Sequence, residues 1–147
     1  MYSRIIITMF LLFSVSGCSN RVIHLVDDNG KEIGECTAGY KFHLYGLEDS
    51  IDYLLYQCAK DLVAQGYKIS GVLPLDRDYT LPKPPKGKSW NKKMAMLHYK
   101  NNDITERKLG YILADIEYKY HLKILAAAKS LSGGQIDESE YNKITQE

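Results

Sequence analysis

The spacing of hydrophobic positions changes several times along the chain, and each change predicts an element. Ile5 to Phe13 is apolar apart from Thr8 and stands at the extreme N-terminus. Residues 21–26 (Arg-Val-Ile-His-Leu-Val) and 32–37 (Glu-Ile-Gly-Glu-Cys-Thr) are β-type runs. Asn29-Gly30 between them is a strong hairpin signal, because both residues of a two-residue turn need positive φ. That turn predicts Val26 opposite Ile33, His24 opposite Glu35 and Ile23 opposite Cys36. Tyr40 to Tyr45 alternates and predicts a third strand. Ile51, Leu54, Leu55, Cys58 and Leu62 recur at helical spacing on one apolar face, with Asp49 placed as the cap and Gln65-Gly66 as the stop. Tyr67 to Leu73 predicts a further strand.

The pattern then breaks. Asp78 to Ser89 holds three prolines and three lysines, a composition that extends toward polyproline II and continues neither helix nor sheet. From Trp90 the spacing is helical to the end, with an internal repeat of 32 residues. Residues 96–109 align with 128–141; each copy reads helix, a two-residue break (Asn101-Asn102 or Gly133-Gly134), a residue and then isoleucine, a capping residue (Thr105 or Asp137), and helix again. Asp137 and Glu140 have the spacing of a capping box. Leu109, Leu113, Ile116, Tyr120 and Ile124, continued by Ala127 and Leu131, make a seam suited to another helix. The expected fold class is α+β: a small antiparallel sheet with one packed helix, followed by a helical hairpin or coiled-coil-like extension. The expected divisions are a signal at 1–17, a disulfide-stapled α+β domain at 18–78, a linker at 79–89 and a helical domain at 90–147.

The N-terminal run changes the picture most. It has one basic residue, Arg4, and is about half the ~20 apolar residues a membrane span needs. It ends in Ser14-Val15-Ser16-Gly17-Cys18, which has the layout of a secretory signal. Val15-Ser16-Gly17-Cys18 resembles the bacterial lipobox. The resemblance implies cleavage before Cys18, a diacylglyceryl group on its thiol, and a body anchored to a membrane through that lipid. With Ser19 after the cysteine, it implies the outer membrane, facing the periplasm, in a Gram-negative cell. Residues 134–141 (Gly-Gln-Ile-Asp-Glu-Ser-Glu-Tyr) resemble the short C-terminal helical module called SHOCT, whose pattern is Gly-x-Ile-Thr-x-x-Glu-Phe. The chain departs from it at Asp137 and Tyr141. That resemblance implies interaction or oligomerisation and no catalysis.

Of the 3 cysteines, Cys36 and Cys58 remain once Cys18 is lipidated. An even pair in an oxidising compartment predicts a disulfide, since a helix packed on the hairpin would bring them together. The absence of C-x-x-C argues against a metal or redox pair. His24 and His43 could share a metal on neighbouring strands, but no carboxylate or thiolate completes a site in the sequence, and they read as half-exposed strand residues. The 12 tyrosines read first as core. There are 19 Lys and Arg against 18 Asp and Glu, and Arg4 leaves with the signal, so the balanced remainder gives no sign of nucleic-acid binding. No nucleophile elbow, Walker loop, dinucleotide fingerprint or H-E-x-x-H occurs. The expectation is therefore a non-catalytic envelope lipoprotein without cofactor, a binding or scaffold module with a protein partner or self-association through its C-terminal helices. The alternatives are a protective or sensing lipoprotein that binds a toxin, phage component or cell-wall fragment, and a cell-wall hydrolase.

Overall fold

The computed structural model describes residues 19–40 and 45–146. The signal and Cys18 lie outside the described residues, as does most of the strand expected at 40–45. Strand β1 (Ser19–Val26) pairs antiparallel with β2 (Glu32–Tyr40) on one side and with β3 (Lys68–Ser70) on the other, giving the order β2-β1-β3. His24 faces Glu35 and Ile23 faces Cys36, as the sequence predicts, but Val26 faces Glu32 instead of Ile33. The turn explains the slip. Gly30 takes φ +78° while Asn29 stays in the ordinary negative region, so the two-residue form is not adopted. Asp27 closes a longer loop: its carboxylate accepts from the backbone N–H of Asn29 and of Lys31, both at 2.9 Å, and its own N–H donates to Lys31 O. The longer turn leaves Ile33 as the extra residue of a bulge.

Helix α1 (Leu47–Ala64) crosses this sheet. Ile23, Leu25, Cys36 and Ala38 from the strands meet Ile51, Leu55 and Ala59 from the helix in a closed core. The helix begins three residues earlier than a cap at Asp49 predicts. Gly46 is its N-cap in the left-handed region and makes no side-chain cap, so Glu48 and Asp49 lie inside the first turn, where acidic groups offset the helix dipole. Gln65 ends the helix, and Gly66 turns the chain at φ +98°.

Three helices follow: α2 (Lys92–Lys100), α3 (Glu106–Ser132) and α4 (Glu138–Thr145). The 32-residue repeat is a repeat of structure. Asn102 and Gly134 both take left-handed φ, 61° and 67°. Asp103 N–H donates to His98 O, and Gln135 N–H donates to Ser130 O, each at 2.9 Å, the Schellman closure of a helix end. Thr105 and Asp137 then cap the next helices by accepting from Lys108 N and Glu140 N, and Asp137 completes a capping box with Glu140.

The C-terminal helices do not stand apart from the sheet and its helix. Helix α1 packs on α3 through a close backbone crossing at Gly46 and Gly110: a Cβ on Gly110 would lie 2.7 Å from Gly46 O. Ser50 Oγ donates to Gly110 O at 3.0 Å, and Gly46 N–H donates to Glu106 Oε1 at 2.9 Å. Residues 79–89 are anchored at both ends. Tyr79 is buried, Leu81 packs against two core clusters, and Trp90 Nε1 donates to Pro82 O at 2.8 Å. Among the described residues no helix is long and apolar enough to cross a membrane.

Candidate functional site

The junction between the sheet layer and the C-terminal helices gathers most of the chain's polar chemistry. Asp52 sits on α1 with its side chain only 7% exposed. Arg21 of β1 pairs with Asp52 and reaches Glu48. Arg77, on the loop after β3, binds the other Asp52 oxygen at 2.5 Å and Asp49 at 3.2 Å. Arg107 of α3 also reaches Asp49, at 3.1 Å. One buried carboxylate is thus held between two guanidinium groups, which is the condition for burying a charge at tolerable cost.

Lys108 clamps the following segment. Its ammonium donates to Asp78 O, Asp78 Oδ2 and Thr80 O at 3.1, 2.9 and 2.6 Å, and lies 5.3 Å from the centre of the Tyr111 ring, within reach of a cation–π contact. Hydrogen bonds from Thr80 and from Lys108 hold the Asp78 carboxyl well below the usual carboxylate range. Behind the clamp runs a chain of four rings. Tyr56 stacks on Tyr79 at 4.3 Å between centroids, Tyr79 meets Tyr111 at 5.4 Å, and Tyr111 meets Tyr53 at 5.4 Å. Tyr53 donates to Asp115 at 3.0 Å, and Tyr79 donates to Pro74 O at 3.0 Å. The Tyr111 hydroxyl is buried without a hydrogen bond of good geometry, with Arg77 nearby. Burial raises the pKa of Tyr53, Tyr79 and Tyr111, and the Asp115 carboxylate raises that of Tyr53 further.

Two depressions open at this junction. The first, about 660 Å³, is lined by Asp49, Arg77, Asp78, Thr105, Glu106, Arg107 and Lys108. Its two aspartates are paired with Arg77, Arg107 and Lys108, and Glu106 accepts from the Gly46 N–H, so three cations face three carboxylates. The second, about 540 Å³, lies under residues 81–84 and is lined by Leu81, Pro82, Trp90, Asp115, Ile116 and Lys119 among others. It is more apolar, though Asp115 is already engaged by Tyr53 and by Lys119 at 2.7 Å.

The sequence-predicted site residues are placed as follows. Cys36 and Cys58 are joined in a disulfide with Cα atoms 6.0 Å apart. Cys36 is buried, whereas Cys58, expected on the buried face of the helix, is exposed, because it lies at the border of the face that meets the sheet. Of the seam, Leu109 and Leu113 are buried within the chain against Ala95, Trp90 and Ile104, with Ile116 half-buried beside them. Tyr120 is 40% exposed and donates to Thr145 O at 2.6 Å, and Ile124 is half-buried. The helix the seam fits is this chain's own: α2 covers its first half, and α4 packs on α3 as well. Leu122 and Leu125, outside the seam, remain 45% and 52% exposed. His43 lies outside the described residues, and His24 is half-exposed.

The network around Asp52 was not foreseen. Its arginines lie 31 and 25 residues from Asp52 in sequence, and no local spacing connects them. Compared with known proteins, the chain matches no protein-family model, no curated protein and no solved structure.

Proposed function

We propose that this chain is a lipid-anchored protein of the bacterial cell envelope, held at Cys18 and acting as a non-catalytic binding or scaffold module. In a Gram-negative cell it faces the periplasm from the outer membrane. The observation that carries the reading is the junction at Cys18. The lipobox-like residues end there, and β1 is paired to β2 from Ser19 onward. One residue spans at most ~3.6 Å, so the acyl chains hold the sheet end against the headgroups without a flexible tether. The Cys36–Cys58 disulfide supports an oxidising compartment. The ion pairs of Asp49 and Asp78 in the charged depression, and the hydrogen bond from Gly46 N–H to Glu106, support a structural role for it over hydrolysis.

The C-terminal helices supply the protein contact in this reading, with Leu97, Leu122 and Leu125 among the apolar side chains they leave exposed. Crosslinking in intact cells, followed by identification of what copurifies from the membrane fraction, should return a stoichiometric protein partner or a second copy of the chain. Cys18→Ala should abolish lipid labelling, leave the signal uncleaved and change the fractionation of the protein. Normal processing and membrane retention of that variant would sink the anchor. Incubation with purified peptidoglycan should release no fragments; their release would replace the scaffold reading with a hydrolase.

A further inference from the structure

The outward face of the hairpin carries a group of side chains that the charge network does not use. His24 on β1 lies opposite Glu35, and Glu32 pairs with Val26, two residues further along β1. In a regular strand, residues three apart point to opposite faces, so Glu32 and Glu35 could not both stand beside His24. The bulge at Ile33 removes that parity. The nitrogen and carboxylate oxygens that the three residues offer lie within 4.8 Å of one another. His24 Nδ1 is shielded from solvent and finds no hydrogen-bond partner, although Glu32 Oε1 stands 3.1 Å away. At that separation an aligned N–H would make an ordinary bond. The hairpin register already sets Glu35 opposite His24; Glu32 joins them only through the bulge, which the turn sets.

We propose that His24, Glu32 and Glu35 form a binding site for a divalent first-row transition-metal ion. An imidazole beside two carboxylates suits zinc and its neighbours, whereas calcium and magnesium select oxygen-only shells. Two carboxylates and a neutral imidazole match a 2+ charge, and three protein ligands leave coordination open to water. Lys68, which pairs with Val26 on the other side of β1, is drawn to Asp28 at 3.2 Å and does not compete as counter-ion. The cysteines are tied to each other and offer no thiolate. The His24 and Glu32 side chains are 43% and 56% exposed, so the group lies at the surface of the hairpin. The site is independent of the lipid anchor.

The test uses the full purified protein, oxidised and stripped with chelator, at near-neutral pH. Titration with Co²⁺ followed by its visible absorption, and with Zn²⁺ by calorimetry, should show one saturable site. His24→Ala and Glu35→Gln should each weaken it by more than about tenfold, the loss already seen for groups that only support a ligand. Both positions face outward, and circular dichroism checks that the variants stay folded. No saturable binding, or binding that survives both substitutions, would overturn the proposal.

Discussion

Asp52 shows how one residue's surroundings outweigh its type. A carboxylate on a helix normally faces water; here it is buried because Arg21 and Arg77 arrive from two other elements. Asp52→Ala leaves both arginines facing each other without their shared anion. We expect a loss of about 1–3 kcal/mol, below the ~3–5 kcal/mol of a fully buried pair because both guanidinium groups reach solvent; urea melts measure it. The tyrosines carry a second expectation. Burial raises the pKa of Tyr53, Tyr79 and Tyr111, so the folded state holds those protons more tightly than the unfolded chain. Their contribution is fully present below about pH 10, the ordinary tyrosine value, and is lost as pH rises toward the raised values. Ultraviolet titration should therefore show part of the tyrosine absorbance refusing to ionise until the protein unfolds in alkali. Full reversible ionisation near pH 10 with the fold intact would contradict the burial.

At the scale of elements, α1 and α3 are both buried on more sides than their apolar spacing announces. The sequence shows α1 with one apolar face, and the sheet takes it. Its other buried positions are Ser50, Asp52 and Tyr53, which lie outside the apolar face that the spacing marks. Each is satisfied by a partner from outside the helix: Gly110 O, the two arginines, and Asp115. Helix α3 buries residues 109–114 without a break. Its seam residues Leu109 and Leu113 face α2, while Gly110 meets the start of α1. A mid-helix glycine costs about 1 kcal/mol against alanine in propensity, and at Gly110 the close crossing explains it. Gly110→Ala should therefore destabilise the protein by about 1–3 kcal/mol, although alanine is the better helix former. An unchanged or higher melting temperature would show that the crossing yields. The disulfide staples β2 to α1 across 22 residues. Cys36→Ser or Cys58→Ser should cost about 2–5 kcal/mol, and equal melting of variant and parent under oxidising conditions would remove its structural role.

For the whole molecule, the segment at 79–89 matters most. Its prolines and lysines read as a linker between two units. Yet Tyr79 closes the ring stack between α1 and α3, and Leu81 touches both clusters. Unfolding should therefore be one transition, with helix ellipticity and tyrosine signal falling together. Two separated transitions would restore the segment as a joint between independent bodies. With a single transition, an anchor at Cys18 would hold one object against the bilayer, with its C-terminal helices fixed in direction by the α1–α3 crossing.

The sequence by itself determined whatever depends on neighbours along the chain. Helical and strand periods located the elements, and Thr105 and Asp137 marked helix starts. Left-handed Asn102 and Gly134 sit at the two breaks of the repeat, and pairing two cysteines required only that a helix lie on a hairpin. The lipobox-like residues are likewise a local pattern. Tertiary structure decided what depends on residues far apart. It buried Asp52, assigned the α3 seam to the chain's own helices, and drew the proline-rich segment into the core. It also brought Glu32 beside His24 and Glu35 through a single extra residue at Ile33. The physical reason is the same in each case: burial, charge pairing and side-chain parity are settled by which surfaces meet, and periodicity along one element carries no record of its partner.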